Sequence, residues 1–363
     1  MAREFKTYPL LLPFAWLYGL GVGVRNALFR MGWLHERSFG LPLIGVGNLA
    51  VGGTGKTPHT EYLLRLLSGR YRTAVLSRGY GRRTRGFRLV TASDTAAAVG
   101  DEPLQMKRRF PGVVVAVDGN RCEGVERLLA MGEKCPEVIV LDDVFQHRYI
   151  RPGLSLLLTD FSRLYIDDCL LPAGRLREPA SGSGRADVVV VTKCPTDLTA
   201  RQRAEVEKRL HLRKGQPVFF TGLGYGPLRS LDAVAEDAGG EDVAGCSVLL
   251  VAGIAQPAPL IAELQRRGAR VTPLLFPDHH LFTARDLGKI ADAFGRMPGE
   301  RRLIVTTEKD AVRLTALPGL DSGLRAAIRV QPVAVVFVDG KESQFNQLII
   351  DYVRTSSGNS SLD

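Results

Sequence analysis

The chain has 363 residues, 45% hydrophobic and 7% aromatic, and a formal net charge of +10. That length suits about two domains with real cores, and a mean hydropathy near zero excludes a polytopic membrane protein. The positive balance points to anionic partners, either phosphates or acidic lipid headgroups; with no basic–aromatic interleaving, nucleic acid is set aside.

The first element is "TYPLLLPFAWLYGLGVGV", Thr7 to Val24, which carries no charge. As a helix it would reach about 27 Å, just short of a hydrocarbon core of about 30 Å. Pro13, Gly19, Gly21 and Gly23 weaken it as a span. Arg3 and Lys6 precede it, and Arg25, Arg30 and Arg37 follow. Positive charge on both flanks favours a segment lying in the interface of an anionic leaflet. A buried core helix, a true span and a signal segment are the alternatives. The expectation is residues 1–35 as a membrane-interface helix, on a membrane-surface protein. The five cysteines form no CxxC and read as reduced thiols.

Next come "LPLIGVGN", "TAVLSRG", "GVVVAVD", "EVIVLDD", "LSLLLTD", "ADVVVVT" and "QPVFFTG", each bounded by Gly, Pro or Asp. Nearly continuous apolar strands are buried on both faces, which predicts an α/β, doubly wound, mostly parallel sheet over residues 36–222. A turn-rich stretch predicts a linker over 223–245. "SVLLVAG", "ARVTPLLF", "RLIVTT" and "PVAVVFVDG" alternate with helices and predict a smaller α/β domain over 246–340. Residues 341–363 are expected to be a helix and a polar, disordered tail.

The first strand runs into "NLAVGGTGKTPHTEYLL". This is a P-loop, G-x-x-x-x-G-K-[ST], with Ala50 at the place of the first glycine. Residues Ala50, Val51, Gly52, Gly53, Thr54 and Gly55 would turn backbone amides toward phosphate oxygens. Lys56 would reach the β- and γ-phosphates, and the Thr57 hydroxyl would take Mg²⁺. The helix that follows aims its dipole at the same anion.

"VIVLDD" ends a buried strand on Asp142 and Asp143, the Walker-B arrangement for holding Mg²⁺. "VVVVTKCP" has Pro195 where guanine-reading proteins place Asp, so guanine is disfavoured and Lys193 is expected on or near an adenine. Asp101 in "VGDEP" is either a helix N-cap or a general base for an acceptor hydroxyl. "FPDHHLF" offers His279 and His280, either a surface pair or a partner that tunes Asp101 across a closing cleft. Arg78, Arg121 and Arg177 follow strands or lie in Gly/Pro-shaped loops, where they suit γ-phosphate charge or an acceptor's phosphate.

Seven pieces, "VGNLAVGGTGKTP", "LSRGYGR", "VGDEP", "VIVLDDVFQHR", "LLPAGRLREP", "PDHHLFT" and "VTTEKDAVRL", occur in one order along most of the chain. In them the chain resembles the tetraacyldisaccharide 4′-kinase (lipid A 4′-kinase) family. The resemblance implies transfer of the γ-phosphoryl of ATP to the 4′-hydroxyl of a tetraacylated glucosamine disaccharide 1-phosphate, with Mg²⁺, a membrane-resident lipid substrate and a peripheral or monotopic attachment at the cytoplasmic face of the inner membrane; no obligate protein partner is inferred. It carries phosphate and metal roles to Lys56, Thr57, Asp142 and Asp143, and base and partner roles to Asp101 and His279. Glu102, Arg121, Gln146, His147, Arg177 and Glu178 fall in matching motifs as candidates for lining the site. Arg175 stands where a smaller residue or proline is expected.

Two other classes carry their own signatures. A P-loop switch or assembly factor would hydrolyse nucleotide to change partners. A kinase of a soluble sugar or nucleoside would use the N-terminal segment as a core helix.

Overall fold

The computed structural model describes residues 8–231, 242–278 and 280–359. The first strand, β1 (Leu43–Asn48), is buried throughout and sits near the middle of a nine-stranded sheet. It pairs in parallel with β5 (Val138–Asp142) on one side and β6 (Leu154–Asp160) on the other. Beyond β5 lie β2 (Thr73–Ser77), β4 (Val114–Val117) and the short antiparallel β3 (Arg88–Leu89). Beyond β6 lie β7 (Val188–Thr192) and β8 (Val218–Tyr225). Runs of Val, Ile and Leu favour strands, and two buried faces require apolar residues at every position.

The helices of this unit begin with α1 (Leu12–Arg30), α2 (Lys56–Ser68), α3 (Ala96–Val99) and α4 (Asp101–Arg109). They continue with α5 (Arg121–Leu129) and α6 (Ala200–Arg209). From β1 the chain moves through α2 to β2 on one side, then returns across β1 from β5 to β6. That reversal opens a crevice at the carboxyl ends of β1, β5 and β6, where ligands bind in such sheets.

A second, five-stranded sheet has the order β11-β10-β12-β13-β9. Its members are β9 (Arg229–Ser230), β10 (Ser247–Ala252), β11 (Arg270–Leu275), β12 (Arg302–Thr307) and β13 (Ile328–Gln331). The interleaved helices are α7 (Ala258–Arg266), α8 (Ala284–Gly295), α9 (Glu308–Leu314) and α10 (Ser322–Ala327).

Three expectations change. "PVAVVFVDG" does not close the second sheet. It forms β14 (Val333–Phe337), which pairs antiparallel with β8 at the edge of the first. Sequence pattern cannot say to which of two sheets a strand returns. The expected last helix, α11 (Glu342–Asn359), continues into residues 355–359, expected to be tail, and it lays Phe345, Ile349 and Val353 into the first core beside Leu63 and Val138. Each such side chain contributes about 1.5–3 kcal/mol of burial. Within the expected linker, Arg229 and Ser230 form β9, antiparallel to β13; residues 232–241 and 360–363 lie outside the described residues. The first unit is thus joined to the second by two strands that pair with each other, β8 going out and β14 coming back.

The N-terminal segment is not a core helix. Of α1 only Ala15 and Phe29 are buried, whereas Trp16 is 81% and Leu17 68% exposed, as is Leu10 just before the helix at 91%. No described helix is long and apolar enough to cross a membrane.

Candidate active site

The loop after β1 has the shape its glycines dictate. Gly52 (φ +102°) and Gly55 (φ +86°) occupy backbone conformations that side chains disfavour, and α2 starts directly at Lys56. Val51, Gly52 and Gly53 face solvent, leaving the crest open to a ligand. Ala50 needs no glycine freedom, because it forms an antiparallel bridge with Leu176. Val51 N donates to Arg175 O at 2.7 Å, and Arg177 N donates to Leu49 O at 2.7 Å. The "PAGRLRE" loop therefore runs alongside the phosphate loop. Arg175 resolves the question its size raised: its Nε and Nη2 donate to Val51 O at 3.1 and 2.9 Å, bracing the loop.

Lys56 Nζ lies 3.4 Å from Asn48 Oδ1 and 3.7 Å from Asp143 Oδ1. Arg177 meets the same two residues, donating to Asp143 Oδ1 at 2.9 Å, Oδ2 at 3.3 Å and the Asn48 side chain. Burial would raise the Asp143 carboxyl, but Lys56 and Arg177 hold it below its ordinary value. Its φ of +47° turns it away from its neighbour. Asp142, 1% exposed, accepts from Thr60 Oγ1 at 3.3 Å and Ser77 Oγ at 3.0 Å. Burial, then Glu102 and Asp143, push it up to about 6.

Arg121 is 2% exposed, with Nη1 2.5 Å from Asp118 O and Nη2 3.2 Å from Asp142 O. Burial lowers its guanidinium to about 10, yet it stays charged at neutral pH, and its Nε has no protein partner. His147 lies in the field of Arg121, Arg25 and Arg78; burial and these cations lower it to about 4, so it is neutral near pH 7. Gln146 Nε2 donates to Asn48 O at 2.7 Å and to Glu178 Oε1 at 2.9 Å, and Arg185 pairs with Glu178 at 2.8 Å.

The second unit reaches over this crevice. The helix containing Asp101 begins at Asp101 itself, with Gly100 as its N-cap, so Asp101 is not the N-cap. Instead Arg313 of α9 donates to Asp101 Oδ2, and Arg313 Nη1 also holds the buried Asp310 at 3.0 Å. Gly100 packs on Gly79, just past Ser77, which places the start of α4 beside Asp142. His279 lies outside the described residues. His280 is engaged elsewhere: its Nε2 is 3.0 Å from Asp286 Oδ2 and its ring stacks on Phe276. Lys193 reaches both units. Its Nζ is fixed by Asp160 Oδ2 at 2.9 Å and by Gln256 Oε1 of the second unit at 3.2 Å.

The N-terminal helix docks at the rim. Tyr18 Oη donates to Arg177 O at 2.7 Å, and Arg25 Nη2 donates to Gln146 O at 2.7 Å. Sequence reasoning thus missed Asn48, Ser77, Arg185 and Arg313. Arg313 lay within a quoted motif, but only the fold brings α9 to α4.

The described residues contain no group of three or more His, Cys, Asp or Glu arranged to hold a metal by themselves. The donor set nevertheless fits Mg²⁺, a hard cation that takes one or two carboxylates, a hydroxyl and phosphate oxygens. Asp142, raised by burial and then by neighbouring carboxylates, is the kind of group a cation relieves.

A glycine-shaped anion loop at a switch point, opposed by strand-end carboxylates, with a base candidate held from a second α/β unit, defines a P-loop phosphotransferase. The family model for tetraacyldisaccharide-1-P 4′-kinase (LpxK) matches residues 7–354, and the chain belongs to that family. It is 48% identical to the tetraacyldisaccharide 4′-kinase of Bacteroides thetaiotaomicron, over 98% of this chain and 96% of that one. It is 44% identical to that of Flavobacterium johnsoniae, over 95% and 97%. Its structure is similar to the crystal structure of Aquifex aeolicus LpxK in complex with ATP, with a TM-score of 0.73 and 31% identity over 94% of this chain and 98% of that one.

Proposed function

We propose that this kinase moves the γ-phosphoryl group of ATP to the 4′-hydroxyl of a tetraacylated disaccharide 1-phosphate, a step of lipid A synthesis, at the residues described above. The loop amides of residues 51–55 and Lys56 hold the β- and γ-phosphates. Thr57, Asp142 and Asp143 would hold Mg²⁺, which when bound offsets charge on the transferring phosphoryl. Asp101, paired with Arg313, takes the proton of the 4′-hydroxyl as its oxygen bonds phosphorus. The bond from γ-phosphorus to the bridging oxygen breaks, and ADP leaves. Arg177 and Arg121 stabilise the spread negative charge. Arg78, Glu102, Gln146, His147 and Glu178 line the acceptor side, and His279 assists the base.

The observation that carries this reading is Asp101, at the start of the helix whose Glu102 lies in the field of Asp142, held by an arginine of the other unit. The exposed apolar surface of α1, ending in Arg25 and Arg30 and tied to the rim by Tyr18, supports attachment to an anionic bilayer surface at the cytoplasmic face of the inner membrane. There the lipid's acyl chains stay in the bilayer while its sugar meets dissolved ATP. ATP consumption should depend on added glycolipid; steady hydrolysis indifferent to the lipid would point to a nucleotide switch instead.

A further inference from the structure

Beneath the phosphate loop sits a histidine that nothing in the transfer chemistry uses. His59, four residues into the sequence after Gly55, is 4% exposed in the first turns of α2. Its Nδ1 is 2.7 Å from Gly55 O, and its Nε2 is 2.9 Å from Thr221 Oγ1. A carbonyl oxygen only accepts, so Nδ1 carries the hydrogen, and Nε2 of the neutral ring, 2.9 Å away, takes the Thr221 hydroxyl hydrogen in preference to Val191 O at 3.3 Å. Burial holds the ring neutral, lowering it to about 4. The neighbouring carbonyl, Thr54 O, is held in the same way by Thr192 Oγ1 at 2.9 Å. Two successive loop carbonyls are thus drawn toward the protein interior. A peptide unit's N–H points opposite its C=O, so the amides of Gly55 and Lys56 turn outward, toward the ligand.

The other end of the histidine leads to the joint between the units. Thr221 lies on β8 and is paired with Phe337 of β14, and these two strands carry the chain out to the second unit and back. Arg313, which holds Asp101, is on that second unit.

We propose that His59 is a positioning residue: Nδ1 sets the direction of the phosphate-gripping amides, and Nε2, through Thr221, links the loop to the strand pair that carries the second unit. The proposal rests on the reading of this loop as the ATP triphosphate site. The two ring nitrogens then have separable jobs. Nδ1 governs ATP affinity. Nε2 governs how productively bound ATP is used.

Side-chain chemistry separates them. His59→Asn places an amide N–H near the position of Nδ1 but cannot reach Thr221, and His59→Leu loses both bonds. Thr221→Val removes only the hydroxyl and keeps the shape. The experiment measures the ATP dissociation constant by calorimetry, kcat with saturating glycolipid, and the thermal midpoint for each full-length variant. His59→Asn and Thr221→Val are expected to bind ATP within about threefold of wild type and to lose about tenfold in kcat. His59→Leu is expected to lose about tenfold in ATP affinity as well, about the net worth of one buried hydrogen bond. The double variant His59→Asn with Thr221→Val should be no slower than either single one.

Should His59→Leu fail to fold, Thr221→Val still decides. Wild-type kcat in Thr221→Val, or a lowered thermal midpoint with unchanged kinetics, overturns the coupling. Wild-type ATP affinity in folded His59→Leu overturns the loop-setting role. A Lys56→Ala control keeps the two levels apart: if it retains ATP affinity and transfer, the loop assignment itself fails. If it is inactive while the His59 and Thr221 variants behave as wild type, only the present inference does.

Discussion

Arg109 offers a sharp test of how the two units are joined. Its Nη1 lies 2.6 Å from Glu61 Oε2 on α2, 2.9 Å from Glu308 Oε2 on α9 and 3.3 Å from Val333 O on β14. One cation therefore ties the phosphate-loop helix to the second unit and to the returning strand. Glu308 is paired also with Arg229. Replacing Arg109 by Met leaves Glu61 and Glu308 facing each other with one cation fewer. Removing one partner of a buried pair costs about 3–5 kcal/mol. At about 2.1 cal/mol/K per residue, a 363-residue chain unfolds with an entropy of about 0.76 kcal/mol/K, so a cooperative melt should shift by about 4–7 °C. The deficit should also depend on pH. Burial raises Glu61 to about 7 while Arg109 pulls it down, so the variant's Glu61 rises further. Between the two values the native variant binds more protons than native wild type, and its relative stability falls as pH rises. Calorimetric scans at pH 6 and pH 8.5 should show the larger gap at pH 8.5. A gap below about 1 °C, or one equal at both pH values, would refute a charge-paired joint.

Three further outcomes are expected. Asp101→Asn should lower kcat at least a hundredfold while leaving the ATP dissociation constant within about threefold, because a base acts in the transition state; equal losses in both would assign Asp101 to structure alone. Because Asp142 is raised to about 6, a proton competes with Mg²⁺ below that pH. The Mg²⁺ concentration for half-maximal activity should rise about tenfold per pH unit below 6 and be flat above about 7, and a flat profile throughout would remove Asp142 from the metal site. Changing Trp16 and Leu17, both on the exposed apolar surface of α1, to Glu should release the protein from vesicles containing anionic lipid in a flotation assay. Retention unchanged by the double substitution would contradict the interfacial role.

Much of the phosphate side was legible in the chain because local sequence dictates it. A buried apolar strand, glycines at left-handed positions, Gly55-Lys56-Thr57 and a helix make one continuous piece of backbone. The same holds for Asp142 and Asp143, which end β5 next to β1. What sequence could not supply was pairing over distance. Arg313 lies 212 positions from Asp101, and the return of β14 to β8 spans the whole second unit. Nor could a residue type announce its tether: Lys193, expected against a base, is bound by Asp160 and Gln256, which come from other parts of the chain. Asp101 was ambiguous for a local reason, since a carboxylate before Glu-Pro also suits a helix cap. Only the observed helix start at Asp101 removed that alternative.

The most direct test is to incubate the purified protein with ATP, Mg²⁺ and the tetraacylated disaccharide 1-phosphate and to locate any new phosphate by NMR. The account predicts one added phosphate on the 4′-oxygen, absent with Lys56→Ala. A glycolipid recovered unchanged, or phosphorylated at another hydroxyl, would contradict it.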